Sequence, residues 1–225
     1  MRVREAVARR RSVRAFTDEA LNEDAVRGLL AAASRAPSGG NLQPWKVIAL
    51  AGAAKEAASQ AGLAAISANP RGEDDEAPIY PAQLSDAYKA RRRKVGEDMY
   101  ALLGIPKEDR AARLGWLASN FAFFGAPVGL FVVVDRDMGR GQWAHLGMFM
   151  QTIALLATER GLATCMQEAW GMVRKTMHAH LGLDAAEMLY CGMALGHPDE
   201  TAPVNRLVTE REPVDAFARF SGFER

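Results

Sequence analysis

Three arginines and a serine stand close together near the start of the chain, in the run Arg10-Arg11-Ser12-Val13-Arg14. An arginine side chain presents a rigid fork of N–H donors that matches the oxygens of a phosphate group. The run follows a short predicted helix, so the alternative is a basic helix end that complements the helix dipole. The run alone favours that alternative, whereas the run together with the following turn indicates a phosphate-bearing ligand.

That turn spans residues 37–45 and has the sequence Pro-Ser-Gly-Gly-Asn-Leu-Gln-Pro-Trp. Its glycines permit positive φ and allow the backbone to approach a flat ligand closely. An ordinary connection between a helix and a strand would use the same proline, serine, glycine and asparagine residues. Gln43 and Trp45 favour a binding role, because a turn needs neither an amide nor an indole there.

A third candidate segment, Gln167-Glu168-Ala169-Trp170, joins a predicted strand to a predicted helix. The first backbone amides of a helix point their N–H groups at a ligand and suit developing negative charge. The alternative is a plain connection with an acidic first turn. Arg206 adds a further cation after the last predicted strand.

Alternating helices and strands must position these residues. The pattern predicts helices at 2–10, 22–36, 53–68, 83–103, 107–123, 142–160 and 170–181, and strands at 45–50, 128–135, 162–167 and 188–195. Asn22 is expected to cap the second helix, which buries the face formed by Val26, Leu29, Leu30 and Ala33. The order of elements predicts an α+β fold, an α/β sandwich in which helices flank a sheet.

Residues 69–119 interrupt the alternation. Positions 69–81 contain four acidic residues, at 73–76, and three prolines, which predicts an exposed loop. We call residues 73–76 the acidic loop. Two amphipathic helices follow, separated by Gly104-Ile105-Pro106. We interpret the 69–119 segment as a lid or a peripheral pair of helices within a single domain over residues 1–225.

The helix predicted at 142–160 has apolar residues on nearly all sides, among them Phe149. A helix of this kind must be buried all round. It is either the central helix of a monomer or a helix covered on one side by a second subunit. In the second case we expect Phe149 to lie at the interface between subunits.

Composition limits the possible functions. A chain of 225 residues and 24.4 kDa, with 49% hydrophobic and 24% charged residues, is typical of a globular protein with one sizeable domain. A net charge of +1 indicates neither a nucleic-acid partner nor a membrane surface. The sequence shows no signal peptide or membrane-spanning stretch, so we expect a cytoplasmic protein. Cys165 and Cys191 are interpreted as buried packing residues, and the four histidines have no metal-ligand spacing.

The runs at 10–14 and 37–45 resemble motifs of the nitroreductase family, and the likeness covers residues 9–50 and 120–210. The resemblance implies a central, mostly antiparallel sheet flanked by helices and an intertwined homodimer that binds FMN between its subunits. It therefore favours the subunit-covered helix at 142–160. The residues to which it assigns cofactor binding are Arg10, Ser12, Arg14, Pro37, Ser38, Gly39, Asn41, Asn120, Gln167, Glu168, Ala169 and Arg206.

The family pattern also implies a role for each group. Arg10 and Ser12 would contact phosphate and ribityl oxygens, and Arg14 would stand near the pyrimidine edge, where a cation raises the flavin potential. The segment 37–41 would reach the FMN of the opposite subunit. The backbone amides of Glu168 and Ala169 would point at flavin N5.

Two further positions complete the implied site. Arg206 matches a basic position that binds phosphate, and Asn120 matches an amide near the flavin ring. Family members often carry a second cation two residues before the position of Arg206, and here that position is Val204. With one cation fewer at the phosphate, Arg10 and Arg206 would contribute a larger share of the phosphate binding.

The resemblance implies an FMN-dependent oxidoreductase that takes hydride from NADH or NADPH and reduces an electron-poor acceptor, such as a nitroaromatic, by a ping-pong mechanism. The 69–119 segment is similar to that of the subgroup that includes nitrobenzoate reductases. The alternatives are a flavoenzyme of the same fold that acts by enone reduction, dehalogenation or dehydrogenation, and a flavin-binding protein without turnover. We predict neither a catalytic side chain nor a metal ligand.

The densest basic run, at 89–94, has two interpretations. It is either a docking patch for the NADPH phosphate or an anionic substrate, or a solvated helix face balanced by the acidic loop. The second interpretation is favoured, because charge runs on helices usually face solvent.

Overall fold

The computed structural model describes residues 1–73 and 76–224. Its helices are α1 (Val3–Arg9), α2 (Glu23–Ala33), α3 (Gly52–Ala68), α4 (Asp86–Leu102), α5 (Arg110–Ala118), α6 (Arg140–Glu159), α7 (Arg174–His180) and α8 (Val214–Phe217). Its strands are β1 (Lys46–Ala51), β2 (Val128–Asp135), β3 (Ala163–Gln167) and β4 (Glu187–Gly196). Short 3₁₀ segments lie at Gly39–Asn41, Ser119–Gly125, Glu168–Val173 and Pro203–Arg206.

The four strands form one sheet in the order β1-β2-β4-β3, and each neighbouring pair is antiparallel. All of β2 except its last residue is buried, as its continuous apolar run predicts for a strand covered on both faces. The predicted α+β fold with an antiparallel central sheet is thus confirmed for the described residues.

Helices cover both faces of this sheet and produce two hydrophobic cores. On one face, α2 and α6 pack Leu29, Phe149 and Ile153 against the sheet. On the other face lie α3, α7 and two of the 3₁₀ segments, with Phe123 and Trp170 fully buried. The chain therefore has three layers, and the sheet is the middle one.

Most predicted helices begin and end near the expected residues. Asn22 caps α2 as predicted, since its Oδ1 accepts a hydrogen bond from the Ala25 backbone N–H at 2.8 Å. Gly161 ends α6 with a φ of +75°.

The helices predicted at 107–123 and 170–181 are wrong in part. The first leaves the α-conformation after Ala118 and continues as a 3₁₀ segment in which Phe123 and Phe124 have φ of +51° and +52°. The second begins as a 3₁₀ segment, and only α7 is α-helical. In the first segment Phe121, Phe123 and Phe124 are buried in one core, and a regular helix would turn some of them away. In the second segment the single aromatic residue Trp170 is buried in the same core directly after β3.

The basic run at 89–94 lies on α4, where no residue is fully buried. Two of its side chains form ion pairs with acidic residues of the C-terminal region. Arg91 contacts Glu212 at 2.8 Å, and Lys94 contacts Glu210 at 3.4 Å. The interpretation as an exposed helix face is confirmed, but its acidic partners differ from those expected.

The two described residues of the acidic loop, Glu73 and Glu76, contact other groups. Glu73 accepts hydrogen bonds from Thr176, and Glu76 forms an ion pair with Arg136. The predicted exposed loop is therefore wrong at Glu73, which is half-buried against α7. Positions 74 and 75 lie outside the described residues.

One side of α6 is uncovered within the protomer. Leu146 and Ile153 are buried, whereas Met148 is 45% exposed. The alternative in which α6 is buried all round within a single protomer is wrong, and cover by a second subunit stays a prediction. Phe149, expected at the interface between subunits, does not lie on the open side of α6. That ring is buried and stacks on Trp45, with centroids 4.7 Å apart.

None of the helices in the described ranges is both long enough and apolar enough to cross a membrane.

We expect Gly192→Ala to destabilise the fold, because a Cβ at this position on β4 would lie 2.1 Å from Cδ1 of Trp170. Overpacking of this kind costs about 3 kcal/mol of unfolding free energy. Gly96→Ala is the matched control, since nothing lies within 4 Å of a Cβ at Gly96 on α4. The control should gain about 0.5 kcal/mol. Urea denaturation measures both, and equal midpoints for the two variants would show that Trp170 does not fill this space.

Candidate functional site

The arginine-serine run continues from α1 as an extended segment beside the edge strand β3. Ser12 forms a parallel bridge with Thr164, and the Val13 N–H donates to the Thr164 carbonyl oxygen at 3.0 Å. Val13 is buried. Because side chains alternate along an extended backbone, Ser12 and Arg14 are directed away from the core that holds Val13.

Asn205 fixes this segment to the C-terminal region. Its side chain is 3% exposed, and its Oδ1 accepts a hydrogen bond from the Arg14 N–H at 2.8 Å. Its Nδ2 donates to the carbonyl oxygens of Ala15 and Asp199, each at 2.8 Å. Arg206 follows directly in the 3₁₀ segment Pro203–Arg206. The structure thus brings Arg14 and Arg206 to the same part of the molecule.

Sequence reasoning missed Asn205. Its position before Arg206 is the one available signal, and nothing in the sequence distinguishes a buried asparagine that links two segments from one at the surface.

The arginines of the candidate site differ in the ion pairs and hydrogen bonds that they form within the protein. Arg11 pairs with Glu200 at 3.4 Å on the exposed side of the run. The Arg14 guanidinium donates to the Ser12 carbonyl oxygen at 3.3 Å. In the part of the chain that the structure describes, no carboxylate pairs with Arg10, Arg14 or Arg206. These three guanidinium groups keep donors for an anionic ligand.

The end of β3 lies beside the 3₁₀ segment Ser119–Gly125. Gln167 is buried, and its Nε2 donates to the Asn120 carbonyl oxygen at 2.7 Å. The Asn120 side chain donates to the Leu117 carbonyl oxygen at 2.9 Å. Asn120 is therefore near the predicted site, but its side-chain amide is engaged locally. Its contact with a flavin ring stays a prediction.

Glu168 and Ala169 open the 3₁₀ segment Glu168–Val173 directly after β3. The first amides of a helical segment have no partner within it and remain available to a ligand. The Glu168 side chain extends to the surface, yet partial removal of its carboxyl from water raises its pKa. Both residues stand at the edge where Ser12 joins the sheet.

The turn at 37–41 is held against the start of α6. The Gly39 N–H donates to His145 Nε2 at 3.3 Å, and His145 Nδ1 lies 2.9 Å from Gln142 Oε1. Because Nε2 accepts, the proton of a neutral His145 is on Nδ1 and is donated to Gln142. The Ser38 hydroxyl oxygen accepts from the Gln43 N–H at 3.0 Å.

The left-handed backbone expected of this turn is present. Gly40 and Asn41 have φ of +62° and +55°, which glycine adopts freely and asparagine tolerates. Pro37 lies exposed at the start of the turn.

The candidate residues therefore fall into two groups. One group surrounds the edge of β3, and the other, at 37–41, lies by α6. No hydrogen bond among the described residues joins the two groups.

A cavity of about 370 Å³ lies beside Arg14. Aromatic rings of Phe16, Trp116 and Phe124 form part of its wall, and the centroids of the last two are 5.7 Å apart. The 69–119 segment thus contributes an aromatic side chain next to the arginine of the site. Two other aromatic residues of this segment, Tyr80 and Tyr88, form cation–π contacts with arginines of α4.

Burial determines the state of the two cysteines. It raises the pKa of the Cys165 thiol to about 11 and that of Cys191 to about 12. Both remain protonated at neutral pH, and a thiol is a far weaker nucleophile than a thiolate. Their expected role as buried packing residues is confirmed.

Comparison with known proteins matches residues 7–197 of the chain to the Nitroreductase family. The 4-nitrobenzoate reductase of Pseudomonas putida is 39% identical over 97% of this chain and 95% of its own length. The nitrobenzene nitroreductase of Ectopseudomonas oleovorans is 34% identical over 94% and 93%.

Solved structures of nitroreductases are also similar to this chain. The FMN- and NADPH-dependent nitroreductase NfnB from Sphigopyxis sp. strain HMH superposes with a TM-score of 0.96 at 44% identity, covering 99% of this chain and all of that one. NfnB from Mycobacterium smegmatis, solved in complex with NADPH, gives a TM-score of 0.90 at 28% identity over 98% of this chain and all of its own. The chain belongs to the nitroreductase family.

We expect Asn205→Ala to lower the unfolding free energy by about 3 kcal/mol, because it removes three hydrogen bonds and leaves the part-buried Arg14 N–H without its partner. Glu200→Ala is the control. It removes the exposed Arg11–Glu200 pair between the same two regions and should cost less than about 1 kcal/mol. If urea denaturation gives equal losses for both variants, Asn205 does not hold the two regions together.

Proposed function

We propose that the protein is an FMN-dependent oxidoreductase that takes hydride from NAD(P)H and reduces an electron-poor acceptor, with nitroaromatic compounds as the first class to test. Membership of the nitroreductase family supports this proposal. The names of the relatives supply the acceptor class, and the FMN- and NADPH-dependent structural neighbour supplies the cofactor and reductant.

The chemistry of the donor set fits FMN. A phosphate needs cations, which Arg10 and Arg206 offer, and the Ser12 hydroxyl can bind a phosphate or ribityl oxygen. Arg14 is held by Asn205 through its backbone N–H, and its guanidinium would contact the pyrimidine edge of the flavin. Val204 is buried and supplies no second cation. The phosphate therefore relies on Arg10 and Arg206.

The amides of Glu168 and Ala169 supply the donors for the reacting end of the cofactor. When bound beside these amides, FMN would supply the capacity to take hydride from NAD(P)H and to reduce the acceptor. Backbone N–H groups held in a rigid segment stabilise negative charge without having to reorient. No side-chain acid or base is assigned, because solvent can supply the protons.

The acceptor would occupy the cavity beside Arg14. Its aromatic walls suit a flat, electron-poor ring, and Arg14 supplies positive charge at one side. In this proposal the 69–119 segment acts as a lid that contributes Trp116, within one domain that spans residues 1–225.

The observation that carries the proposal is the hydrogen bonding of Asn205, which places the segment of Arg14 next to Arg206. It joins two cationic positions that are far apart in sequence at the same edge of the sheet.

We expect Arg206→Ala to raise the dissociation constant for FMN about 30-fold, because it removes a charge-assisted contact to the phosphate. Arg9→Ala is the control, since Arg9 is exposed at the end of α1 and should change the constant less than about 2-fold. Titration of FMN-free protein, followed by flavin fluorescence, measures both constants. An Arg206 variant that purifies with as much FMN as the wild type would contradict the phosphate assignment.

We also propose a homodimer with two shared sites. Met148 exposes an apolar side chain on α6, and large apolar residues of the C-terminal region, Phe217, Phe220 and Phe223, are each more than 60% exposed. Apolar surface of this extent is typical of an interface. The two separate groups of candidate residues would complete each other across it. We propose that the protein is located in the cytoplasm, because the proposed reaction uses NAD(P)H.

We expect Met148→Glu to give a folded monomer that has lost most of its FMN, because a charge on the open side of α6 opposes association and each site loses half its residues. Met148→Leu keeps the apolar surface and should remain a dimer with bound FMN. Size-exclusion chromatography with light scattering measures the mass. A monomer that retains FMN, or an unchanged dimer, would contradict the shared site.

A further inference from the structure

The beginning of the 69–119 segment passes against the far end of the 3₁₀ segment Glu168–Val173. The Glu73 N–H donates to the Met172 carbonyl oxygen at 2.8 Å. Gly72 precedes this bond with a φ of +93°, and a Cβ there would lie 3.2 Å from the same oxygen. The close approach therefore depends on a glycine in the left-handed region.

The Glu73 carboxylate makes a second connection. Its Oε2 accepts from the Thr176 N–H at 2.9 Å, and its Oε1 accepts a short hydrogen bond from the Thr176 hydroxyl. The residue before α7, Val173, has no side chain able to cap the helix. Glu73, 103 positions away from Thr176, therefore satisfies an amide that the helix cannot use.

The buried side chain of Arg174 also connects the 69–119 segment to the start of α7. Its side chain is 3% exposed, and its Nε donates to the Leu189 carbonyl oxygen on β4 at 3.0 Å. Its Nη2 donates to the Ala77 carbonyl oxygen at 3.4 Å. The 69–119 segment, β4 and the start of α7 thus meet where the 3₁₀ segment ends.

We propose that Glu73 is a positioning residue for the flavin site. A 3₁₀ segment of six residues has poor hydrogen-bond geometry of its own, so its shape depends on the contacts that hold it. The buried Trp170 holds its first half, and Glu73 holds its end. By fixing the end, Glu73 fixes the direction of the Glu168 and Ala169 amides. This inference rests on the proposed function, which gives those amides their role at flavin N5.

Hydrogen–deuterium exchange of FMN-free protein tests the structural half of this inference. In Glu73→Ala we expect the amides of residues 171–173 to exchange about 10-fold faster, because two hydrogen bonds that oppose local opening are lost. Glu73→Gln keeps one acceptor oxygen and should restore part of the protection. Glu97→Ala is the matched control. It breaks the Glu97–Arg113 pair, at 2.9 Å, in the same 69–119 segment and should leave this exchange unchanged.

The reduction potential of bound FMN tests the functional half. We expect a lower potential in Glu73→Ala than in the wild type or Glu97→Ala, because displaced amides stabilise negative charge at N5 less well. A lower melting temperature with unchanged exchange and potential would overturn the inference and leave Glu73 a purely structural residue.

Further variants give the same measurements when the first variant does not fold. If Glu73→Ala does not fold, Glu73→Gln and Thr176→Val, which removes the hydroxyl donor, undergo the same two measurements. If the wild type takes up no FMN, the proposed function fails. The exchange data then still decide separately whether Glu73 holds the 3₁₀ segment.

Discussion

The burial of Trp170 beneath the sheet determines how the chain passes from β3 into the site. Its ring packs edge-on against Phe131, with centroids 4.8 Å apart, and against Phe121 at 5.2 Å. The ring fills the space above Gly192 and beside Gly62, so neither position has room for a side chain. Because Trp170 must be directed into this core directly after the strand, the chain bends at once into a 3₁₀ segment. The amides of Glu168 and Ala169 are left at the open edge of the sheet.

The same edge receives the other parts of the site because β3 is the last strand in the sheet. An edge strand has unpaired backbone groups, and here the extended run at 12–13 takes them up. Asn205 then attaches this run to the C-terminal region. A backbone hydrogen bond positions Arg14, and among the described residues no carboxylate pairs with the guanidinium groups of Arg10, Arg14 or Arg206. The second group of candidate residues, at 37–41, lies by α6.

Much of the fold could be predicted from local sequence. The limits of β2 were predicted correctly because a continuous apolar run can be satisfied only in a strand covered on both faces. The helices at 107–123 and 170–181 were partly wrong because burial of Phe123 and Trp170 outweighed helical periodicity. Of the candidate site residues, those in the run and the turn could be proposed from residue type, and their roles stay predictions. Asn205 and Glu73 could not, because their partners lie 191 and 103 positions away and only the folded chain brings them together.

The most direct test of the central claim is a two-step absorption experiment under nitrogen with the purified, FMN-loaded protein. NADPH is added first, the nicotinamide is removed by gel filtration, and 4-nitrobenzoate is then added. The proposed function predicts that the flavin band at about 450 nm bleaches in the first step and returns in the second. A protein that takes up no FMN, or whose reduced flavin is not reoxidised by 4-nitrobenzoate or any other nitroaromatic tried, would contradict it.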